Sequence, residues 1–219
     1  MSPAPAGPGS AASGPAQNLW EAAVARNPEH ARGYADRWRR IEASGQDIHG
    51  EARLIDAMAA RGSRVLDAGC GTGRLGGYLA GVGHHVTGVD LDPTLIGVAR
   101  QDHPAARWET GNLAELDLRD EHGQRELFDL VVCAGNVLTF LSGAERVPAL
   151  TRIAQHLAPD GRFVAGFGPG HGYPVGRFEV DAASAGLRVQ QRFAGWDLQP
   201  RGEGAEGDDE FLVAVLTQA

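Results

Sequence analysis

The sequence predicts an α/β fold with a seven-stranded, mostly parallel sheet, an antiparallel last strand and helices on both faces. Three observations predict it. Short apolar runs alternate with helical stretches through most of the 219 residues, the pattern of parallel crossover units rather than hairpins. The first such run, Val65-Leu66-Asp67-Ala68, breaks into the glycine-dense turn Gly69-Cys70-Gly71-Thr72-Gly73 and opens a helix at Arg74. Near the end the pattern changes. Leu187 to Phe193 alternates polar and apolar residues and the stretch Glu210 to Leu216 is continuously apolar after its first residue, as expected of an edge strand paired antiparallel with a buried one.

Residues 1–17 contain only Met, Ser, Pro, Ala, Gly and Gln. Without large apolar groups they cannot offset the entropy of ordering, so a disordered tail is expected. Residues 18–219 are long enough for one domain, and a hydrophobic content of 42% supplies its core. Within it, residues 18–60 are expected to form a helical cap over the mouth of the sheet, with helix from about Ala31 to Ala60 interrupted near Gly45 to Gly50. The second strand is His85 to Asp90, the third precedes Gly111, the fourth is Phe128 to Val132, and Leu157 to Phe163 leads into the fifth. Helices are expected at Arg74 to Ala80, Pro93 to Gln101, Ala144 to Leu157 and near Phe178 to Ala185. The stretch Arg201 to Asp209 reads as a solvated acidic loop without chemistry.

A net charge of −8 argues against a nucleic-acid partner, which needs clustered positive charge. All twenty basic residues are arginine, so no lysine chemistry is available. The chain starts with neither a basic region nor an apolar run, and no segment is apolar enough to span a bilayer, so a cytoplasmic protein without a membrane partner is expected. Cys70 and Cys133 read as free thiols in a reducing compartment, and no metal site is predicted.

Glycines in a strand-to-helix turn tolerate tight geometry and let backbone amides approach a ligand at the helix N-terminus. Read from Gly71, the spacing Gly71-x-Gly73-x-x-Gly76 matches a dinucleotide fingerprint, but the strand would then run through Ala68-Gly69-Cys70, a poor strand. Read from Gly69, the fingerprint fails and Asp67 stands just before the turn. A carboxylate there would repel a pyrophosphate and attract the ammonium of a bound amino acid. Asp90 ends the second strand at the spacing from which a carboxylate takes ribose hydroxyls.

With VLDAGCGTGR and VTGVDLD in place, residues 30–217 resemble the class I S-adenosylmethionine-dependent methyltransferases. The likeness extends through Gly111-Asn112-Leu113, Phe128-Asp129-Leu130-Val131-Val132 and Leu157-Ala158-Pro159-Asp160-Gly161-Arg162-Phe163. It implies a Rossmann-like fold and S-adenosylmethionine as cofactor, with S-adenosylhomocysteine as product. Carried onto this sequence, Asp67, Gly69, Cys70, Gly71 and Gly73 face the methionine portion, and Asp90 holds the ribose. Asn112 meets the adenine and Leu113 beside it joins the cofactor site, while Leu91 packs into the core, meets the adenine, or does both; Asn112 departs from the aspartate more usual there, although an amide oxygen accepts the same hydrogen bond.

Acceptor-side candidates lie after strands four and five and on the leading helices. Asn136 follows Cys133-Ala134-Gly135, where relatives face the transferred methyl. His171 and Tyr173 sit in a glycine- and proline-rich loop suited to a lid, and His171 could act as a base. Tyr34, Trp38 and His49 either line the acceptor pocket or belong to the core, whereas Trp196 and Asp197 read as packing. Neither an Asp-Pro-Pro-Tyr-like motif nor an acid ends strand four, which disfavours base N-methylation and aminopropyl transfer. The resulting expectation is methyl transfer to a small molecule by a monomer or homodimer. A nicotinamide-dependent oxidoreductase and a binding module without turnover stand as alternatives.

Overall fold

The computed structural model describes residues 16–168, 172–201 and 210–219; His171, most of the acidic loop and residues 1–15 lie outside them. The cap has three helices, α1 (Leu19–Arg26), α2 (His30–Ala43) and α3 (Gly50–Met58). The last two match the expected helix and its break, whereas α1 is additional. Its signal is local: the Asn18 side chain caps it by accepting from the Trp20 amide, with Glu21 in the first turn, an N-cap and acid pairing of the kind that marks helix starts.

Seven strands follow the predicted order: β1 (Arg64–Ala68), β2 (His85–Asp90), β3 (Arg107–Thr110), β4 (Phe128–Cys133), β5 (Leu157–Phe167), β6 (Leu187–Phe193) and β7 (Leu212–Gln218). Between them lie α4 (Arg74–Gly81), α5 (Pro93–Asp102), α6 (Val137–Phe140), α7 (Arg146–Gln155) and α8 (Val175–Ser184). Their spatial order is β3-β2-β1-β4-β5-β7-β6. Strands β1 to β5 are parallel, and β7 runs antiparallel between β5 and the edge strand β6, as the change of pattern predicts. The order reverses between β1 and β4, so the loops after those strands diverge and leave a crevice at the carboxyl end of the sheet.

Strand alternation assigns each residue of β1 to a face. Val65 packs with Leu130, Val132 and Val164 beneath Leu75 and Leu79 of α4, while Leu66 and Ala68 pack with Val131, Cys133 and Phe163 against α7. Asp67 shares the α4 face with Val65. Leu79, Leu150 and Ile153 are fully buried, each worth roughly 1.5–3 kcal/mol of apolar burial. Both cysteines are free and buried. Among the described residues, no helix is long and apolar enough to cross a membrane and no His, Cys, Asp and Glu cluster could hold a metal.

Candidate active site

Because β1 ends at Ala68, the turn begins at Gly69, and the strand required by the dinucleotide register does not form. Gly69, Gly71 and Gly73 all take positive φ, +82°, +55° and +78°, conformations open to glycine at little cost. The loop hangs from the end of β2. The amides of Gly69 and Cys70 donate to the Val89 carbonyl at 2.8 and 3.0 Å, and that of Gly73 to Cys70. The Gly71 amide donates to Asp90 Oδ2 at 2.8 Å. The sequence leads one to expect these amides beside a ligand; instead these four are spent inside the protein, which leaves fewer of them for the cradle that a pyrophosphate needs.

A buried plug holds the loop from below. Cys70, Ile96, Ala99 and Trp108 form one cluster, and the Trp108 indole donates to the His103 carbonyl at 2.8 Å. A Cβ on Gly88 would lie 2.3 Å from the Trp108 ring, and one on Gly73 would lie 2.8 Å from it. Cys70 and Gly73 therefore serve the plug, away from the cleft. Burial pushes the Cys70 and Cys133 thiols well up.

Asp67 is 3% exposed and absent from the cleft wall. Its Oδ2 accepts from the Gly76 amide in the first turn of α4 at 2.9 Å, on the strand face that alternation gives it. Burial dominates its titration and raises the carboxyl to about 7, against the lowering effect of the Gly76 hydrogen bond. Asp90 does reach the wall. Its oxygens accept from Gly71 and from Asp92 N at 2.9 Å, and burial raises its pKa against those donors. A carboxylate offers about four acceptor positions, so these two bonds leave room for ribose hydroxyls. Two acids pushed up by burial form an environment that favours an incoming cation.

The cleft encloses about 340 Å³, within the roughly 300–1,000 Å³ of small-molecule sites. Gly69, Gly71, Asp90, Leu91, Asn112, Leu113 and Asn136 all line it. Asn112 Oδ1 accepts from Ala114 N and its Nδ2 donates to Glu145 Oε1, both at 2.9 Å, which fixes the side chain on the cleft wall. Burial works to raise the Glu145 pKa, but donors from Asn112, Ser142 and Asn18 outweigh it and hold the carboxyl below its ordinary range. Asn136 has φ +68°, and its Oδ1 accepts from Gly168 N at 2.8 Å, tying the ends of β4 and β5 together. It thus stabilises the turn and lines the cleft at once.

The cap closes the other wall. Trp20 Nε1 donates to Asp92 Oδ2 at 2.9 Å, and the Trp20 ring meets Tyr34 edge-on at 5.4 Å between centroids. Tyr34 lies over Gly71, its ring 3.7 Å from where a Cβ would stand, and burial raises its pKa. Trp38 receives the Arg74 guanidinium at 4.5 Å; Arg74 also pairs with Glu51 at 2.6 Å and donates to the Ile48 carbonyl. Tyr34 and Trp38 therefore face the cleft, whereas His49 stacks on Tyr78 at 5.0 Å outside it. Tyr173 is no lid residue: it is fully buried, stacked on Phe167, and donates to Asp181 Oδ2 at 3.0 Å. Trp196 packs against the core as expected. Sequence reasoning missed Asn18, Trp20, Arg37 and Phe140 of the wall. Of these only Asn18 carried a signal, its cap.

A family model described as a methyltransferase domain matches residues 65–161. A TehB-like SAM-dependent methyltransferase from Corynebacterium glutamicum, known as a crystal structure, is 51% identical with a TM-score of 0.81; the match covers 88% of this chain and all of that one. A malonyl-[acyl-carrier protein] O-methyltransferase of Pectobacterium atrosepticum is 36% identical over 48% of this chain and 40% of its own. A dTDP-3-amino-3,6-dideoxy-alpha-D-glucopyranose N,N-dimethyltransferase of Streptomyces fradiae is 34% identical over 55% of this chain and 47% of its own. The match thus spans less than half the length of these two curated relatives.

Proposed function

The chain belongs to the class I S-adenosylmethionine-dependent methyltransferases, and from that premise we propose that it transfers a methyl group in line to a nucleophilic atom of a small molecule. The observation that carries this reading is the loop itself: the amides of Gly69, Cys70, Gly71 and Gly73 are turned into the protein beside two acids, which suits a cationic ligand and disfavours a dinucleotide phosphate. The small-molecule relatives and the net charge of −8 support a small acceptor over a nucleic acid.

The residues present fit the cofactor. Asp90 would hold the ribose hydroxyls, and Leu91, Asn112 and Leu113 would enclose the adenine. Gly69 and Gly71 would pass the methionine arm, with Tyr34 above it. Asp67 would act from behind the loop through its charge, and Cys70 and Gly73 through the plug. S-adenosylmethionine supplies a methyl group already activated on a positive sulfur. The chain then has to align a nucleophile and exclude water, a task of positioning, for which the aromatic cap and the Asn136 turn are suited.

Titration calorimetry with S-adenosylmethionine, S-adenosylhomocysteine and NAD tests the cofactor. Heat with the first two and none with NAD is expected; the reverse pattern would reject the reading. Incubation with methyl-labelled cofactor and a metabolite extract should then yield a labelled small product.

A further inference from the structure

Four arginines lie on α2, and three of them have partners: Arg32 pairs with Glu29 at 3.0 Å, Arg39 with Asp102 at 2.9 Å, and Arg40 donates to the Asp36 carbonyl at 3.2 Å. Arg37 differs. No acid among the described residues stands within ion-pairing distance, and its side chain lines the cleft. Tyr34, Arg37 and Trp38 are spaced i, i+3 and i+4, so one helix face presents them together. Asp90 and Arg37 are the only charged residues of the described cleft wall, and Asp90 is already committed to the loop and to the ribose position. In a chain of net charge −8, a guanidinium without an acid partner on a cleft wall shared with Tyr34 and Trp38 has the chemistry of an anion receptor, because a guanidinium binds carboxylates through two parallel hydrogen bonds.

Resting on the methyltransferase reading above, we propose that Arg37 binds the acceptor and that the acceptor is a small organic anion, a carboxylate or similar oxyanion on a flat or apolar body. The cofactor's own carboxylate is the other anion that could enter. The arrangement favours the acceptor: Tyr34, not Arg37, lies over Gly71, where the methionine arm would run, and Arg37 is exposed while lining the cleft. Trp20, Trp38 and Phe140 supply apolar surface on the wall. An anionic acceptor is also drawn towards a positively charged methyl donor.

The test separates a metabolite extract at neutral pH into pools retained and not retained on an anion exchanger, and incubates each with the protein and methyl-labelled S-adenosylmethionine. Label is expected in the retained pool. Arg37→Gln should then need about tenfold more of that pool for the same rate, as for the loss of one charge-assisted contact, and Arg37→Lys should fall between. The S-adenosylhomocysteine Kd of both variants should match the wild type. Label confined to the unretained pool overturns the proposal. So does Arg37→Gln weakening S-adenosylhomocysteine but not methylthioadenosine, which lacks the amino-acid arm, because Arg37 would then serve the cofactor. No label from either pool, with S-adenosylhomocysteine still bound, rejects the small-molecule transfer reading itself and this inference with it.

Discussion

Replacing Asp67 by asparagine should make the ligand-free protein more stable at alkaline pH. The acid lies between β1 and α4, 3% exposed, and burial raises its pKa from an ordinary 3.8 to about 7. Between those values the folded chain holds a proton that the unfolded chain has released. Stability from this group is therefore complete below pH 3.8 and is lost as pH rises through about 7, where charge must be kept in an apolar layer. At 1.36 kcal/mol per pH unit, the loss is about 4 kcal/mol. An amide of the same shape keeps an oxygen for the Gly76 amide and carries no charge. His103 and His156, whose pKa values burial lowers, give the opposite slope, but both proteins share them and the difference cancels. Urea unfolding of both proteins from about pH 4 to about pH 8 should show Asp67→Asn gaining on the wild type by about 4 kcal/mol, at constant m-value. Parallel pH profiles would refute the claim that an uncompensated charge is buried there. Because Asp67 acts from behind the loop, the same substitution should weaken S-adenosylmethionine less than Asp90→Ala does.

Asp90→Ala removes a wall acid and the support of the Gly71 amide; loss of a charged hydrogen bond of about 1.5–3 kcal/mol should raise the S-adenosylmethionine Kd tenfold or more by calorimetry. Gly88→Ala would set a Cβ 2.3 Å from the Trp108 ring, so overpacking of about 1–3 kcal/mol should lower the melting temperature; an unchanged value would mean that the plug yields freely. Trp20→Phe keeps the ring but loses the 2.9 Å bond to Asp92, and at about 1 kcal/mol should make α1 more readily cut in limited proteolysis. Equal cutting rates would show that the bond does not latch the cap.

The fold was legible because its signals are local. Apolar runs, the turn at Gly69 and the switch to an antiparallel pair each occupy a few consecutive residues, and β-strand periodicity turns them directly into faces. The same holds for the loop half of the site, since Asp90 lies 19 positions beyond Gly71 on the strand that supports the loop. Asp67 lies off the cleft wall although its position before the glycines suggests direct contact with a ligand, because strand alternation turns it towards α4. Tyr173 was misread for a similar reason: glycines and prolines mark a loop, but not whether an aromatic inside it points into the core.

The cap half was not legible because its contacts are set by tertiary docking. Asn18 meets Glu145 across 127 positions, Trp20 meets Asp92 across 72, and neither pair has a short-range pattern. Helical spacing does bring Tyr34, Arg37 and Trp38 to one face, yet spacing alone cannot tell a face packed on the core from a face left open over a ligand. Only the docked helix distinguishes them, by giving Arg39 an acid and leaving Arg37 over the cleft. The division has a chemical consequence. The loop half is built to hold one cofactor, whereas the wall that meets the acceptor is assembled from a separate segment that touches the loop half through a few residues, Tyr34 over Gly71 and Trp20 on Asp92 among them. Acceptor specificity in this chain should therefore follow residues 18–38, and exchanging that segment, with Trp20 and Tyr34 kept, for the matching one of another methyltransferase should alter which acceptor pool is labelled while S-adenosylhomocysteine affinity falls less than it does in Asp90→Ala.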